Sequence, residues 1–472
     1  MRLSTDNLDR LNPDVARYGY DRDGQAVGIV HFGIGAFHRA HQAWYTDRAM
    51  DAGDRDWAIL GVSMRSAGVA DQMNPQQGLY TVTERSGGEA KTRVVGAVRE
   101  VLVAPRSPSS LAIALIAPRS PSSLAIALIA PQTRIVTFTV TEKGYCRAPD
   151  GSLDLQLADE GSFYPLLADA MRQRRDAGIG GLTLLSCDNL ADNGRQLAGL
   201  MREYLAARAP DLLDWFTAEC RCPSSMVDRI VPATTDEDRA VLAEGLGLGD
   251  DAAVFTEPFS QWVIEDDFAA GRPGWEKVGA QMVADVAPYE TAKLRMLNGA
   301  HSALAYLGLQ QGHTYVHEAV ADPQIGPLVE RLMRDEAAPT ISAAPGQDLD
   351  AYATSLLERF ANPALQHRLQ QIAMDGSQKV PQRWLETLAA QAGRGQACEA
   401  ILTALAAWMR HIRGNMRPVD DPLAETLAEL WCDKGESGIV DALFAPDGLL
   451  SSPWVPSAAD KSFLQASLVR SF

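Results

Sequence analysis

The stretch "TAKLRMLNGAH", residues 291–301, sets a lysine, an asparagine and a histidine inside an otherwise apolar, helix-length run. On an α-helix with Lys293 at the origin, Glu290 falls at about 60°, His301 at about 80° and Asn298 at about 140°, whereas Arg295 points away at about 200°. An ammonium, a carboxylate, an amide and an imidazole thus share one stripe, a set able to hold, donate and pass protons. Spacing alone leaves two readings open: a solvated stripe on an amphipathic helix, or one wall of a cleft. Asn298-Gly299 is a poor helical pair, since glycine costs about 1 kcal/mol relative to alanine in a helix interior. A close approach of something to that backbone is a motive for the glycine. Pro288 suits the start of the helix and Gly312 its end.

A second feature is "VGIVHFGIGAFHRAH", with Gly33-x-Gly35 directly after an apolar strand. In a dinucleotide fold Gly33 allows the tight turn and Gly35 lets the backbone approach a pyrophosphate, with Ile34, Ala36 and Phe37 completing the turn into a helix. The third glycine of the usual pattern is replaced by His38. A purely structural turn is the competing reading. After the next strand the sequence runs Ser63-Met64-Arg65-Ser66 with no acid. An acid there accepts the ribose 2′-OH of NAD, whereas Arg with small polar groups suits the 2′-phosphate of NADP, so this rule leans towards NADP.

These groups need a scaffold. "VGIVHF" (27–32), "WAILGV" (57–62), "LYTVTE", "TRVVGAV", "TRIVTFTV" (133–140) and "GLTLLSC" (181–187) read as strands, with helical segments such as "FYPLLADAMRQRRDAG" between some of them. Alternation of this kind predicts an α/β domain with a mostly parallel sheet, of Rossmann type, over residues 1–283. Beyond it, segments such as "PLVERLMRDEAAPT" and "QACEAILTALAAWMRHIR" keep helical spacing and strand signals nearly vanish. A mainly α-helical domain is expected over 284–472.

At 472 residues the chain has room for two or three domains, and its formal charge of −17 argues against nucleic acid or an anionic membrane as the main partner. A small anionic substrate remains compatible with it. No run approaches the roughly 18–20 apolar residues needed to span a bilayer, and the start carries no apolar signal core. Six scattered cysteines, of which only Cys220 and Cys222 are close, suit a reducing cytosol and give little support for a metal site. A cytoplasmic protein without a metal is expected, monomeric or a small homo-oligomer. "APRSPSSLAIALI" occurs at 104–116 and again at 117–129. It reads as a duplication in a surface connection, with one surplus "LAIALI" that must find somewhere to pack.

The blocks "GIGAFHRAHQ", "TVTEKGYC", "SCDNLADNG", "MVDRIVPATT", "EPFSQWVIEDDF", "KLRMLNGAHSALAYLG" and "ERFANPALQHRLQQIAMDGSQKVPQ" resemble those of the polyol-specific long-chain dehydrogenases, the mannitol dehydrogenase and fructuronate reductase family. "TEKGYC", "NGAHSALAYLG" and "IAMDGSQKVPQR" look closer to the fructuronate reductase (mannonate oxidoreductase) branch. The tandem repeat departs from the family pattern. The resemblance implies an NAD-dependent, metal-independent oxidoreductase with its active site between a Rossmann domain and a helical domain.

Carried over onto this chain, the resemblance makes Lys293 the general acid in carbonyl reduction and the base in alcohol oxidation. Asn189 and Asn298 become the pair that polarises the reacting oxygen, and His301 a group that orients the substrate. Asp228 becomes a substrate-site acid, Glu290 a proton relay to Lys293, and Lys379 a substrate-side lysine. The bland alternatives are a cap or turn hydrogen bond for Asp228 and Asn189, an i,i+3 pair for Glu290, and a surface charge for Lys379. Charge develops on the ketone oxygen as hydride arrives, so amide donors and a burial-tuned lysine are what the step requires. The expected reaction is D-fructuronate to D-mannonate. Interconversion of mannitol, sorbitol or arabinitol with their ketoses is the alternative, and a catalytically silent nucleotide-binding protein is a third reading. A uronate carboxylate would need a cation, for which Lys379, Arg368 and Arg383 are candidates.

Overall fold

The structure, a computed structural model, describes residues 1–104, 121–415 and 417–469. It divides into two compact units, Met1–Val286 and Ala287–Phe472.

The first unit is built on a five-stranded parallel sheet of β1 (Val27–Phe32), β2 (Ala58–Ser63), β5 (Val98–Val103), β6 (Ile135–Phe138) and β7 (Thr183–Ser186), in the order β5-β2-β1-β6-β7. These strands are short apolar runs because both faces are covered: β6 and β7 are buried throughout, and β1 and β2 at all but one residue. Helices Gln42–Asp51, Tyr164–Asp176 and Asn193–Arg208 belong to the same unit, and buried side chains of each pack with those of the sheet. Strand order reverses between β1 and β6. A doubly wound sheet binds its ligand at such a switch point, outside the carboxyl ends of the strands.

"LYTVTE" and "TRVVGAV" do not extend the parallel sheet end to end. They form the antiparallel hairpin of β3 (Tyr80–Ser86) and β4 (Glu89–Val95), turned by Gly87 and Gly88 at φ +55° and +90°. Two consecutive positive-φ residues match the twist of the flanking strands. β3 pairs on its other side with β9 (Val254–Thr256), and β8 (Ser225–Asp228), β10 (Gln261–Glu265) and β11 (Gln281–Val283) make a third sheet. The expected domain boundary at 283 falls at the last residue of β11.

The first copy of the repeat lies almost wholly outside the described residues. The second copy is not a surface loop. Its residues Pro121–Ile129 form the helix leading from β5 to β6, with Leu124 and Leu128 buried in the core and Ile126 on the exposed side. The apolar face of "LAIALI" is therefore part of the α/β core.

The second unit is helical. Its centre is Gly299–Gln310, buried at every position from Gly299 to Leu309, so its apolar character runs all the way round the helix. Glu399–His411 packs along it, and Val316–Ala321, Leu349–Phe360, Ala424–Phe444 and Ala458–Val469 contribute to the same core. Among the described residues three π-helical segments interrupt the α-helices, at Lys293–Asn298, Leu332–Ala337 and Pro381–Leu385. The first packs against both others. Among the described residues no helix is long and apolar enough to cross a membrane.

Candidate active site

At the carboxyl ends of β1, β2 and β6 the first unit holds a cleft of about 420 Å³. Gly33, Ile34 and Gly35 line it after β1, Ser63, Met64 and Arg65 after β2, and Thr139, Val140 and Thr141 after β6. Ala36 and Phe37 follow in the first helical turn and are not part of its lining.

The two glycines do different work. Gly33 sits at φ +96°, and a Cβ there would stand 2.1 Å from the carbonyl oxygen of Thr139. Its glycine is demanded by the protein itself. Gly35 has an ordinary φ of −82°, and a Cβ there would meet only the Gly33 carbonyl oxygen, at 3.8 Å, an ordinary contact with room beyond it. That space is what a phosphate would use.

The missing third glycine has a structural account. His38 stacks on His31 of β1 with ring centroids 3.4 Å apart, and both are fully buried. The short helix carrying His38 ends at His41, whose φ and ψ of −118° and −89° break it. Burial lowers His31 to about 3 and drives His38 well below the usual histidine range, so both rings are neutral. The Thr139 hydroxyl donates to the Gly33 carbonyl at 2.7 Å, so it accepts from His31 Nε2–H at 2.9 Å, and Nδ1 accepts from the Thr137 hydroxyl at 2.7 Å. One tautomer of a buried imidazole thereby fixes the glycine turn.

Asn189 lies just past the end of β7, exposed, next to the buried Asp188. Asp188 accepts from the Val140 and Thr141 amides at 3.0 and 2.9 Å and from the Tyr145 hydroxyl at 2.8 Å. Burial raises its carboxyl despite these donors. Asp188 thus clamps the "TEKGYC" loop to the end of β7 and sets the start of the Asn189 turn. Asp228 is buried at the end of β8, in register with Gln261 of β10. Its neighbour Arg229 is held by Glu84 and by the carbonyls of Ala40 and Glu257, and lies over the Trp44 ring at 4.7 Å. Asp188 and Arg229 were not singled out from sequence. The available signal was their position beside Asn189 in "SCDN" and beside Asp228 in "MVDR".

In the second unit Glu290 lies in the α-helical turn Ala287–Ala292, and Lys293 opens the π segment that Asn298 closes. The 100° spacing used above fails here. The Gly299 N–H bonds to the carbonyl of Leu294, five residues back. An i→i+5 turn spreads one more residue over each circuit, which brings Asn298 about one turn above Lys293, close to the same side. Turns of this kind recur at functional sites.

The widened turn is braced from outside. Trp384 Nε1 donates to the Gly299 carbonyl at 3.1 Å, and Arg383 Nη1 donates to the Asn298 carbonyl at 3.2 Å and to Ser302 Oγ at 2.7 Å. His301 is buried against Phe360 and His367, and burial, followed by His367, Arg359 and Arg383, keeps it neutral. Lys379 donates to the Met374 carbonyl at 2.5 Å and lies 3.8 Å from Asp375. Arg368 is exposed, its guanidinium 5.5 Å above the Tyr315 ring. No cluster of three metal-ligating side chains occurs among the described residues.

Residues 27–277 match the model of the mannitol dehydrogenase Rossmann domain, and residues 285–444 that of the mannitol dehydrogenase C-terminal domain. The chain belongs to the mannitol dehydrogenase family. Relatives agree over nearly the full length. An uncharacterized oxidoreductase of Escherichia coli (strain K12), YeiQ, is 40% identical across 94% of this chain and 93% of its own. D-mannonate oxidoreductase of the same organism is 39% identical across 95% and 94%. A solved structure of Pseudomonas fluorescens mannitol 2-dehydrogenase, a ternary complex with NAD and D-mannitol, superposes with a TM-score of 0.82, covering 99% of this chain and 96% of that one at 33% identity. Membership of the mannitol dehydrogenase family places this chain among the oxidoreductases that act on CH–OH groups.

Proposed function

We propose that this protein is an NAD-dependent reductase of a linear keto-sugar acid, converting D-fructuronate to D-mannonate. The π turn from Lys293 to Asn298 supports the chemical part of the reading, because its i→i+5 spacing sets Asn298 about one turn above Lys293. The sugar-acid part is supported by the near full-length likeness to D-mannonate oxidoreductase. We take Met1–Val286 as the cofactor-binding unit and Ala287–Phe472 as the unit that supplies the acid and base.

The cleft fits a dinucleotide at its phosphate end, where Gly35 leaves open space beside the backbone. A bound nicotinamide cofactor supplies or accepts the hydride. The chain does the rest. As the carbonyl oxygen gathers charge, the amides of Asn298 and Asn189 donate to it and Lys293 delivers the proton, with Glu290 returning protons to Lys293. His301, kept neutral by burial, donates or accepts a single hydrogen bond to a substrate hydroxyl. Asp228 takes another hydroxyl as acceptor.

One observation favours NADP as the alternative cofactor. Arg65 and Lys143 line the cleft, whereas the turn after β2 offers no acid for a ribose 2′-OH. For the substrate, initial rates with NADH on D-fructuronate and D-fructose decide. A much higher kcat/KM on D-fructuronate is expected. Equal or better rates on D-fructose would replace the sugar acid by a neutral polyol and its ketose.

A further inference from the structure

We infer that Arg383 is the residue that reads the carboxylate of the substrate, an inference that rests on the sugar-acid reading above. A guanidinium has five N–H donors. Arg383 uses only Nη1, on the Asn298 carbonyl and Ser302 Oγ. Among the described residues the Nε–Nη2 edge makes no hydrogen bond and Arg383 forms no ion pair. That edge is the fork that matches a carboxylate with two parallel N–H···O bonds.

Other buried arginines of the chain are answered by the protein. Arg229 meets Glu84, Arg22 spends its donors on the carbonyls of Gly96, Gln77 and Val98, and Arg174 spends its donors on four carbonyls. Arg383 has no carboxylate partner among the described residues, and burial lowers it to about 10. Burial first and Arg383 second depress Lys379, and burial, His367, Arg359 and Arg383, in that order, depress His301. A half-buried cation with a vacant fork is costly unless an anion completes it.

Lys379 and Arg368 fit the role less well. Lys379 is engaged by the Met374 carbonyl and lies near Asp375, and Arg368 stacks on Tyr315 at the surface. The position of Arg383 is also the useful one. Its bond to the Asn298 carbonyl fixes the free fork relative to the turn bearing Lys293 and Asn298. A substrate anchored there by its carboxylate presents its keto group to that turn only from one end.

The test is the kinetics of the full chain carrying Arg383→Met or Arg383→Lys, on D-fructuronate and on D-fructose, with secondary structure and thermal midpoint as fold checks. Loss of a bidentate charged contact predicts a fall of about 30- to 300-fold in kcat/KM on D-fructuronate for Arg383→Met, mainly through KM. Activity on D-fructose should also fall, through loss of the brace on the π turn, but less, so that the ratio of kcat/KM on D-fructuronate to that on D-fructose drops at least about tenfold. Arg383→Lys keeps the charge without the fork and should recover only part of the loss. Equal losses on both substrates, or none on D-fructuronate, overturn the inference and leave Arg383 as a brace of the π turn. If Arg383→Met does not fold, Arg383→Gln retains a donor for the Asn298 carbonyl and is judged by the same ratio. A parent enzyme without turnover of D-fructuronate overturns the functional reading itself, which separates the two failures.

Discussion

Alanine at Gly33 and at Gly35 should fail for opposite reasons. At Gly33 the backbone is at φ +96° and the new methyl would lie 2.1 Å from Thr139 O. The left-handed region costs an L-residue about 1–2 kcal/mol. Relieving the clash means moving β1 away from the exit of β6, where Gly33 N bonds Val62 O and Thr139 N bonds Phe32 O, both at 2.9 Å. Overpacking of that kind adds about 1–3 kcal/mol. At roughly 2–4 °C per kcal/mol for a unit of this size, Gly33→Ala should lower the melting temperature by about 5–15 °C. Gly35→Ala meets nothing within 3.8 Å and loses at most about 1 kcal/mol as a poorer N-cap. Its methyl instead occupies the approach of the pyrophosphate, so NADH should bind at least about tenfold more weakly. Thermal unfolding paired with fluorescence titration of NADH and NADPH reads both effects, and tighter NADPH binding by the parent would favour the NADP alternative. The reasoning is refuted if Gly35→Ala binds the cofactor like the parent, or if Gly33→Ala is no less stable than Gly35→Ala.

Lys293→Ala should reduce kcat by about 10²- to 10⁴-fold while NADH titration stays unchanged. Turnover equal to the parent's would remove Lys293 from the mechanism, and a parent without turnover would support the catalytically silent reading instead. His31, lowered by burial to about 3, binds a proton in the unfolded chain near pH 6.5 but not in the folded one. Its contribution to stability is therefore complete above about pH 6.5 and is lost as pH falls towards 3, at about 1.4 kcal/mol per pH unit. Denaturant unfolding from pH 7 to 4 should show a flatter pH dependence for His31→Gln than for the parent, and parallel curves would contradict this account.

Much of the first unit was legible because its signals are local. "VGIVHF" became β1, "TRIVTFTV" contains β6 and "GLTLLSC" contains β7, since strands covered on both faces are continuous apolar runs. The Gly-Gly turn between "LYTVTE" and the next run was also local, but which sheet the hairpin joined depended on β9, far along the chain. β8 to β11 are too short and too mixed in composition to stand out. The second copy of the repeat was read as a loop because duplication suggests insertion. The buried Leu124 and Leu128 show that the sheet needed that apolar helix.

The amino-acid sequence by itself determined the glycine turn, the absence of an acid after the second strand, and the order of the family blocks, because each is a matter of residue type at short range. Only tertiary structure decided the rest. The π turn that aligns Asn298 with Lys293 is a backbone choice stabilised by donors from Arg383 and Trp384, more than eighty residues away. The neutrality of His31, His38 and His301 comes from burial, not from neighbours in sequence. The same holds for the vacant fork of Arg383: which cations lack an acid is known only once the folded chain has brought every carboxylate to its place.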